Sequence, residues 1–137
     1  MSNKSTLRNY FSSFGTNGDY QAYYADDIVW RLPQSHPYGA EHRGLASVRH
    51  MLARANNELL SLQSMTCDIH DMIEEDERIA VRMTQSYSTA NGEQKYTNEH
   101  IDIFEFRDGK IVAVTAALDT HHMYQLGLYN AASTAAV

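Results

Sequence analysis

Polar and apolar positions alternate most cleanly over residues 98–106, Asn98-Glu99-His100-Ile101-Asp102-Ile103-Phe104-Glu105-Phe106. Alternation with a period of two marks a strand whose faces differ in chemistry. Arg107-Asp108-Gly109-Lys110-Ile111-Val112 follows. Asp108-Gly109 supplies the left-handed residues of a two-residue turn, so a hairpin is predicted there. Asn98, His100, Asp102, Phe104 and Phe106 share one strand face. A carboxyl and an imidazole beside two phenyl rings suggest polar groups set in an apolar pocket, where proteins do acid–base chemistry.

Upstream, the period changes. Leu7, Tyr10, Phe11 and Phe14 recur at helical spacing, with Ser5 or Thr6 as the cap and Gly15 as the stop. Asp19 reads as the cap of a short second helix carrying Tyr20, Tyr23 and Tyr24. Ile28-Val29-Trp30-Arg31-Leu32 is a strand ended by Pro33, and Gln34 to Gly44 is a loop. A third helix buries Val48, Met51, Leu52, Ala55 and Leu59. Four long strands follow, at about 62–74, 77–89, 95–107 and 110–119, turning at Asp76-Glu77, Asn91-Gly92 and Asp108-Gly109. Helices early and strands late predict an α+β fold, with the helices on one face of a curved antiparallel sheet.

The 137 residues suffice for one domain, with a core over about 5–126 and a frayed tail over 127–137. The formal net charge of −6, with no basic cluster, argues against nucleic-acid binding. No run of about 18 apolar residues suggests a membrane span, and no apolar run follows Lys4, so a cytoplasmic protein without a signal peptide is expected. The single Cys67 reads as a small core residue.

Ala25-Asp26-Asp27-Ile28-Val29-Trp30 before a Pro/Gly loop, His42-Arg43-Gly44 ahead of the third helix, Arg107-Asp108-Gly109-Lys110-Ile111-Val112 and Leu118-Asp119-Thr120 occur in a distinctive order. In this the chain resembles the SnoaL-like group of the nuclear transport factor 2-like superfamily, which also holds ketosteroid isomerase, limonene epoxide hydrolase and scytalone dehydratase. The resemblance implies a cone: a curved mixed or antiparallel sheet wrapped around three helices of the N-terminal half, usually a homodimer through the sheet's outer face. It does not imply one reaction. The isomerase's general-base Asp falls at Leu32 here, and its oxyanion-hole Tyr falls near Phe11, beside Tyr10. Its second oxyanion donor matches Asp102. The cyclases' and hydrolase's last-strand Asp falls at Ala116. The hydrolase's Arg-x-Asp appears as Arg82-Met83-Thr84, with the Asp lost.

Asp102 is therefore the first catalytic candidate, because burial among phenyl rings sets a carboxyl up for proton exchange. The bland alternative is an outward Asp102 paired with Arg78 or Arg82. His100, on the same face, can share acid and base roles with it. Arg82 can hold a carbonyl or anion bidentately if it faces the pocket. A two-residue Asn91-Gly92 turn sets Arg82 against Ile101, whereas one more loop residue sets it against His100 or Asp102, and the sequence leaves both open. Trp30 can stack on a planar ligand, and Phe104 lines the same face as Asp102. His36 and Tyr38 lie on the loop where family members place pocket-mouth residues, and Tyr10 or Tyr23 can reach into the cone. His70 is expected to be structural or at the surface. His121 and His122 on a regular strand would point apart, so no metal site and no cofactor are expected.

The sequence thus predicts a cofactor-free enzyme of isomerase, cyclase or lyase type acting on a small apolar or aromatic carbonyl-containing ligand. The alternative is a binding protein without turnover. A cone collapsed around Phe11, Trp30, Phe104 and Phe106 would instead indicate a purely structural module.

Overall fold

A computed structural model describes residues 1–14 and 19–130. Helix α1 (Asn3–Ser12) starts at Ser2, whose hydroxyl accepts the Ser5 N–H at 3.1 Å. The cap therefore lies three residues earlier than Ser5, and the Thr6 N–H already makes the first helical bond, to the Ser2 carbonyl at 3.0 Å. Leu7, Tyr10 and Phe11 form its buried stripe. The expected stop at Gly15 lies outside the described residues. Asp19 caps a single 3₁₀ turn, Tyr20–Tyr23, through the Gln21 N–H.

Strand β1 (Tyr24–Arg31) begins four residues before the expected start. The 34–44 loop contains a short strand, β2 (Glu41–Arg43), antiparallel to β1. Three residues are too few to show an alternation. Helix α2 (Leu45–Glu58) buries Val48, Met51 and Leu52, and a 3₁₀ turn at Leu62–Ser64 takes what had read as the start of the next strand. The meander consists of β3 (Thr66–Glu75), β4 (Arg78–Ser88), β5 (Lys95–Arg107) and β6 (Lys110–Leu118). Asp108 and Gly109 have φ of 52° and 77°, the left-handed pair that this hairpin turn needs.

β6 is not the last element of the described residues. Asp119 caps a further helix, α3 (Thr120–Gln125), through the His122 N–H at 3.1 Å. His121 and His122 thus lie on a helix, and the His122 ring stacks on Tyr96 at 5.6 Å. Leu128 is buried and the Tyr129 hydroxyl donates to the Ser35 carbonyl, so residues 127–130 pack against the body. Residues 131–137 lie outside the described part.

The six strands form one sheet in the order β2-β1-β6-β5-β4-β3. β1 and β6 run parallel and every other pair is antiparallel. Register shifts at Ile69/Asp71 and Glu105/Phe106 add local bends. The sheet's inner face carries Ile28, Ile79, Val81, Met83, Phe104, Ile111 and Val114, all essentially inaccessible, and α1 and α2 contribute to the same core. Burying such residues is the main source of stability in a domain of this size.

Candidate functional site

β5 decides the site. Asn98, His100, Asp102, Phe104 and Phe106 are all buried while Glu99, Ile101 and Ile103 are exposed. Asp102 faces inward, with 4% of its surface exposed, and does not pair with Arg78 or Arg82. The Asn91-Gly92 turn sets Arg82 opposite Ile101. Directly opposed residues share a face, so Arg82 points outward, where it donates to Asp71 at 2.7 Å. Arg82 is therefore not a pocket residue. One step of register decides this, and the two-residue register holds.

Between the sheet and the helices lies a cavity of about 120 Å³, the size class of a site for one aromatic ring. The cone has not collapsed: Phe11, Trp30 and Phe104 are walls of an open space. Phe106 is core but not wall. Asp102, His100, His36, Tyr10, Trp30 and Phe104 meet around this space.

Asp102 Oδ1 accepts the Ala117 N–H of β6 at 3.3 Å and lies 3.3 Å from His100 Nδ1. Both contacts fall on the same oxygen. As a carboxylate, Asp102 takes the His100 Nδ1–H, which leaves Nε2 of the neutral ring with the lone pair. His36 is fixed the other way: its Nδ1 accepts the Tyr38 backbone N–H at 3.0 Å, so the neutral ring carries its proton on Nε2. With Asp102 ionised and His100 neutral, the two imidazoles at the cavity would be of opposite tautomer.

Burial lowers the His36 pKa from 6.5 to about 4, helped by His100 of β5 and His42 beside the loop. The unfolded chain takes up this proton near pH 6.5, and the folded chain only near pH 4. Unfolding therefore takes up a proton in that window, so stability is full above pH 6.5 and falls as the pH drops. The loss is about 1–3 kcal/mol for a half-buried ring. His36→Gln should flatten the decline, measured as denaturation midpoints of both proteins at pH 7 and pH 4.5.

Tyr10 and Tyr24 share a hydrogen bond of 2.7 Å between hydroxyls. Burial pushes both phenols well above their ordinary pKa, so both stay protonated. Tyr38 lies outside the cavity: its hydroxyl donates to Glu58, and the Arg54 guanidinium sits 4.7 Å over its ring. The loop that presents His36 is pinned by this residue, which is why Tyr38 is not itself a wall. His70 is exposed and bonded to Thr84 at 2.8 Å. Cys67 is half-buried, and burial pushes its thiol up to about 12. Among the described residues no three His, Cys, Asp or Glu side chains gather as metal ligands, and no helix is long and apolar enough to cross a membrane.

Sequence reasoning passed over Gln85, Tyr87 and Tyr96, all on the cavity wall. A signal was present. Ile79, Val81, Met83, Gln85 and Tyr87 occupy alternate positions of β4, so an inward apolar stripe runs into an amide.

This arrangement, a sheet bent around a small apolar cavity with a carboxylate–imidazole pair on its wall, defines a cone-fold pocket protein of the nuclear transport factor 2-like kind. Residues 8–114 match the model of the SnoaL-like domain, and the chain belongs to that family. No curated protein matches the sequence. Among solved structures, a nuclear transport factor 2-like protein of unknown function from Burkholderia pseudomallei is 24% identical over 92% of this chain and 98% of its own, with a TM-score of 0.78. TerC, co-crystallised with polyporic acid, is 21% identical over 90% of this chain and 96% of its own (TM-score 0.75). A candidate polyketide cyclase from Pseudomonas putida is 18% identical over 91% and 97% (TM-score 0.68). Identities this low establish the shared fold alone.

Proposed function

We propose that this protein is a cofactor-independent enzyme of isomerase, cyclase or lyase type, moving a proton on a small apolar ligand with Asp102 and His100. The observation that carries the proposal is the anchoring of one Asp102 oxygen by Ala117 N–H and His100. That geometry fixes the carboxylate without spending its second oxygen, and holds the imidazole with Nε2 as base. His36, neutral across ordinary pH, is the third polar group and can donate from Nε2. Placed proton-transfer groups of this kind contribute about 10²–10⁴-fold in rate. Support also comes from a fold neighbour, TerC, that has been seen with a small molecule.

A second reading, ligand binding without turnover, draws on Leu32 and Ala116. Both line the cavity, at the two places to which the family resemblance assigns an acid–base residue. One experiment separates the two. A panel of single-ring ketones, enones and hydroxy ketones is incubated with the protein in D2O and followed by NMR. Exchange, isomerisation or water loss that disappears in Asp102→Asn while binding persists supports the enzyme. Turnover retained in the variant removes Asp102 from the mechanism. Binding with no turnover in the parent selects the second reading.

The same proposal includes a homodimer through the outer face of the sheet. Ile101 and Ile103 are 57% and 41% exposed there, more apolar surface than an isolated sheet face needs. Sedimentation at micromolar concentration should give a dimer that Ile101→Glu dissociates; a parent that sediments as a monomer removes this part of the proposal.

A further inference from the structure

One amide on the cavity wall, on β4, has only a weak partner at its donor end. Gln85 is 5% exposed and lines the cavity. The Tyr87 hydroxyl donates to its Oε1 at 2.6 Å, which fixes the oxygen end of the carboxamide and leaves the NH₂ end to find acceptors. Its only described partner is the Met83 thioether, at 3.5 Å. Sulfur is a weak acceptor. The neighbouring Asn98, directly opposite on β5, makes the contrast clear: its Nδ2 donates to the Tyr96 hydroxyl at 2.5 Å and to the Asp119 carbonyl at 2.9 Å. Asn98 is a structural amide with its donors used. Gln85 is a buried, oriented donor whose only partner among the described residues is a sulfur, so it can still give a stronger hydrogen bond to a ligand oxygen.

Its place relative to the acid–base pair is set by register. His100 opposes Met83 and Gln85 lies two residues along β4, so Gln85 is the diagonal neighbour of His100, about 7 Å away between backbones. No Lys or Arg lines the cavity among the described residues. An anionic ligand group would enter without a counter-charge, which is unfavourable in an apolar site. A neutral oxygen acceptor avoids that cost.

We propose that Gln85 is the ligand-recognition residue of this cavity, donating its Nε2–H to the carbonyl oxygen of a neutral single-ring ketone or enone whose adjacent carbon faces His100 and Asp102. Tyr87 is a positioning residue that acts through Gln85. The assignment rests on the acid–base reading above for its second half, but its binding half stands without turnover. When His100 or Asp102 removes the proton from the carbon beside the carbonyl, the C–H electron pair becomes the C=C bond of an enolate and the negative charge appears on the oxygen held by Gln85. Return of the proton to carbon restores the carbonyl, so no oxidant or co-reactant is needed.

The test compares acetophenone with ethylbenzene, nearly equal in shape but differing in one carbonyl. Trp30 is the single tryptophan of the chain and lines the cavity, so its indole N–H signal in a ¹H–¹⁵N spectrum reports occupancy. Without a donor, the carbonyl makes acetophenone the weaker ligand, because it must leave its water behind. With Gln85 in place, acetophenone should bind the parent at least as tightly as ethylbenzene. Gln85→Met should weaken acetophenone about tenfold and leave ethylbenzene within twofold, which also shows that the pocket is intact. Tyr87→Phe, which frees the carboxamide to rotate, should give an intermediate loss for acetophenone alone. Acetophenone tenfold weaker than ethylbenzene in the parent, or unchanged in both variants, overturns the assignment while leaving the Asp102–His100 proposal standing. Failure of both probes to move the Trp30 signal overturns the ligand pocket, and Gln85 recognition with it.

Discussion

Asp102→Asn should cost about 10²–10⁴-fold in turnover while leaving the fold nearly as stable as the parent. Asparagine keeps an oxygen at the Oδ1 position, where it can still accept the Ala117 N–H and the His100 Nδ1–H. What it loses is the ability to take or give a proton and the negative charge that stabilises a protonated His100. A loss at the lower end would mean that His100 Nε2 carries most of the proton transfer and Asp102 chiefly orients it. A loss at the upper end would make the free Asp102 oxygen the base. Initial rates of parent and variant, together with their denaturation midpoints, separate lost chemistry from lost fold. An unchanged rate removes the carboxyl from the reaction.

Phe104→Ala should be the most damaging single change to stability, at about 3–5 kcal/mol. The ring is 1% exposed and meets Tyr10 and Phe11 edge-on, with centroids 5.9 Å and 5.5 Å away. Edge-to-face pairs add to the cost of lost burial. Because Phe104 also borders the cavity, its removal joins new empty volume to the old, and the rigid sheet behind it cannot close the gap. This is a large part of the 5–15 kcal/mol that holds a domain together. Urea unfolding measures it directly; a loss below about 1 kcal/mol would show that α1 slides in to refill the space. The same variant should accept a two-ring ligand that the parent excludes.

Much of the fold was legible because the decisive strands have two unlike faces. β5 alternates without a fault, and Asp108-Gly109 can form only a tight turn at that place. That strand alone put Asp102 and His100 on one face with Phe104 and Phe106, but left open whether that face looks inward. Where both faces are alike, or an element is too short, the reading failed. β2 has three residues, and α3 reads Thr-His-His-Met-Tyr-Gln, with one buried residue, Met123, to mark a face. Arg82 depended on a single step of hairpin register, and the local chemistry of Asn91-Gly92 allowed either outcome. Tyr38 was placed on the correct loop, but its direction is set by Glu58 and Arg54, distant in sequence. Gln85 was missed for a different reason. The alternation of β4 places this amide on the apolar face, but an uncharged amide names no reaction; the Tyr87 hydroxyl on its oxygen and the sulfur at its NH₂ end show its role only in the structure.

The proposed chemistry requires an inward carboxylate that holds His100 ready to accept a proton. Long-range ¹H–¹⁵N NMR of the histidine side chains tests it most directly, with His100 assigned by His100→Gln. The neutral ring should carry its proton on Nδ1, with an unprotonated Nε2, and the signal should respond to Asp102→Asn. A His100 ring protonated on Nε2 and indifferent to that substitution would contradict it.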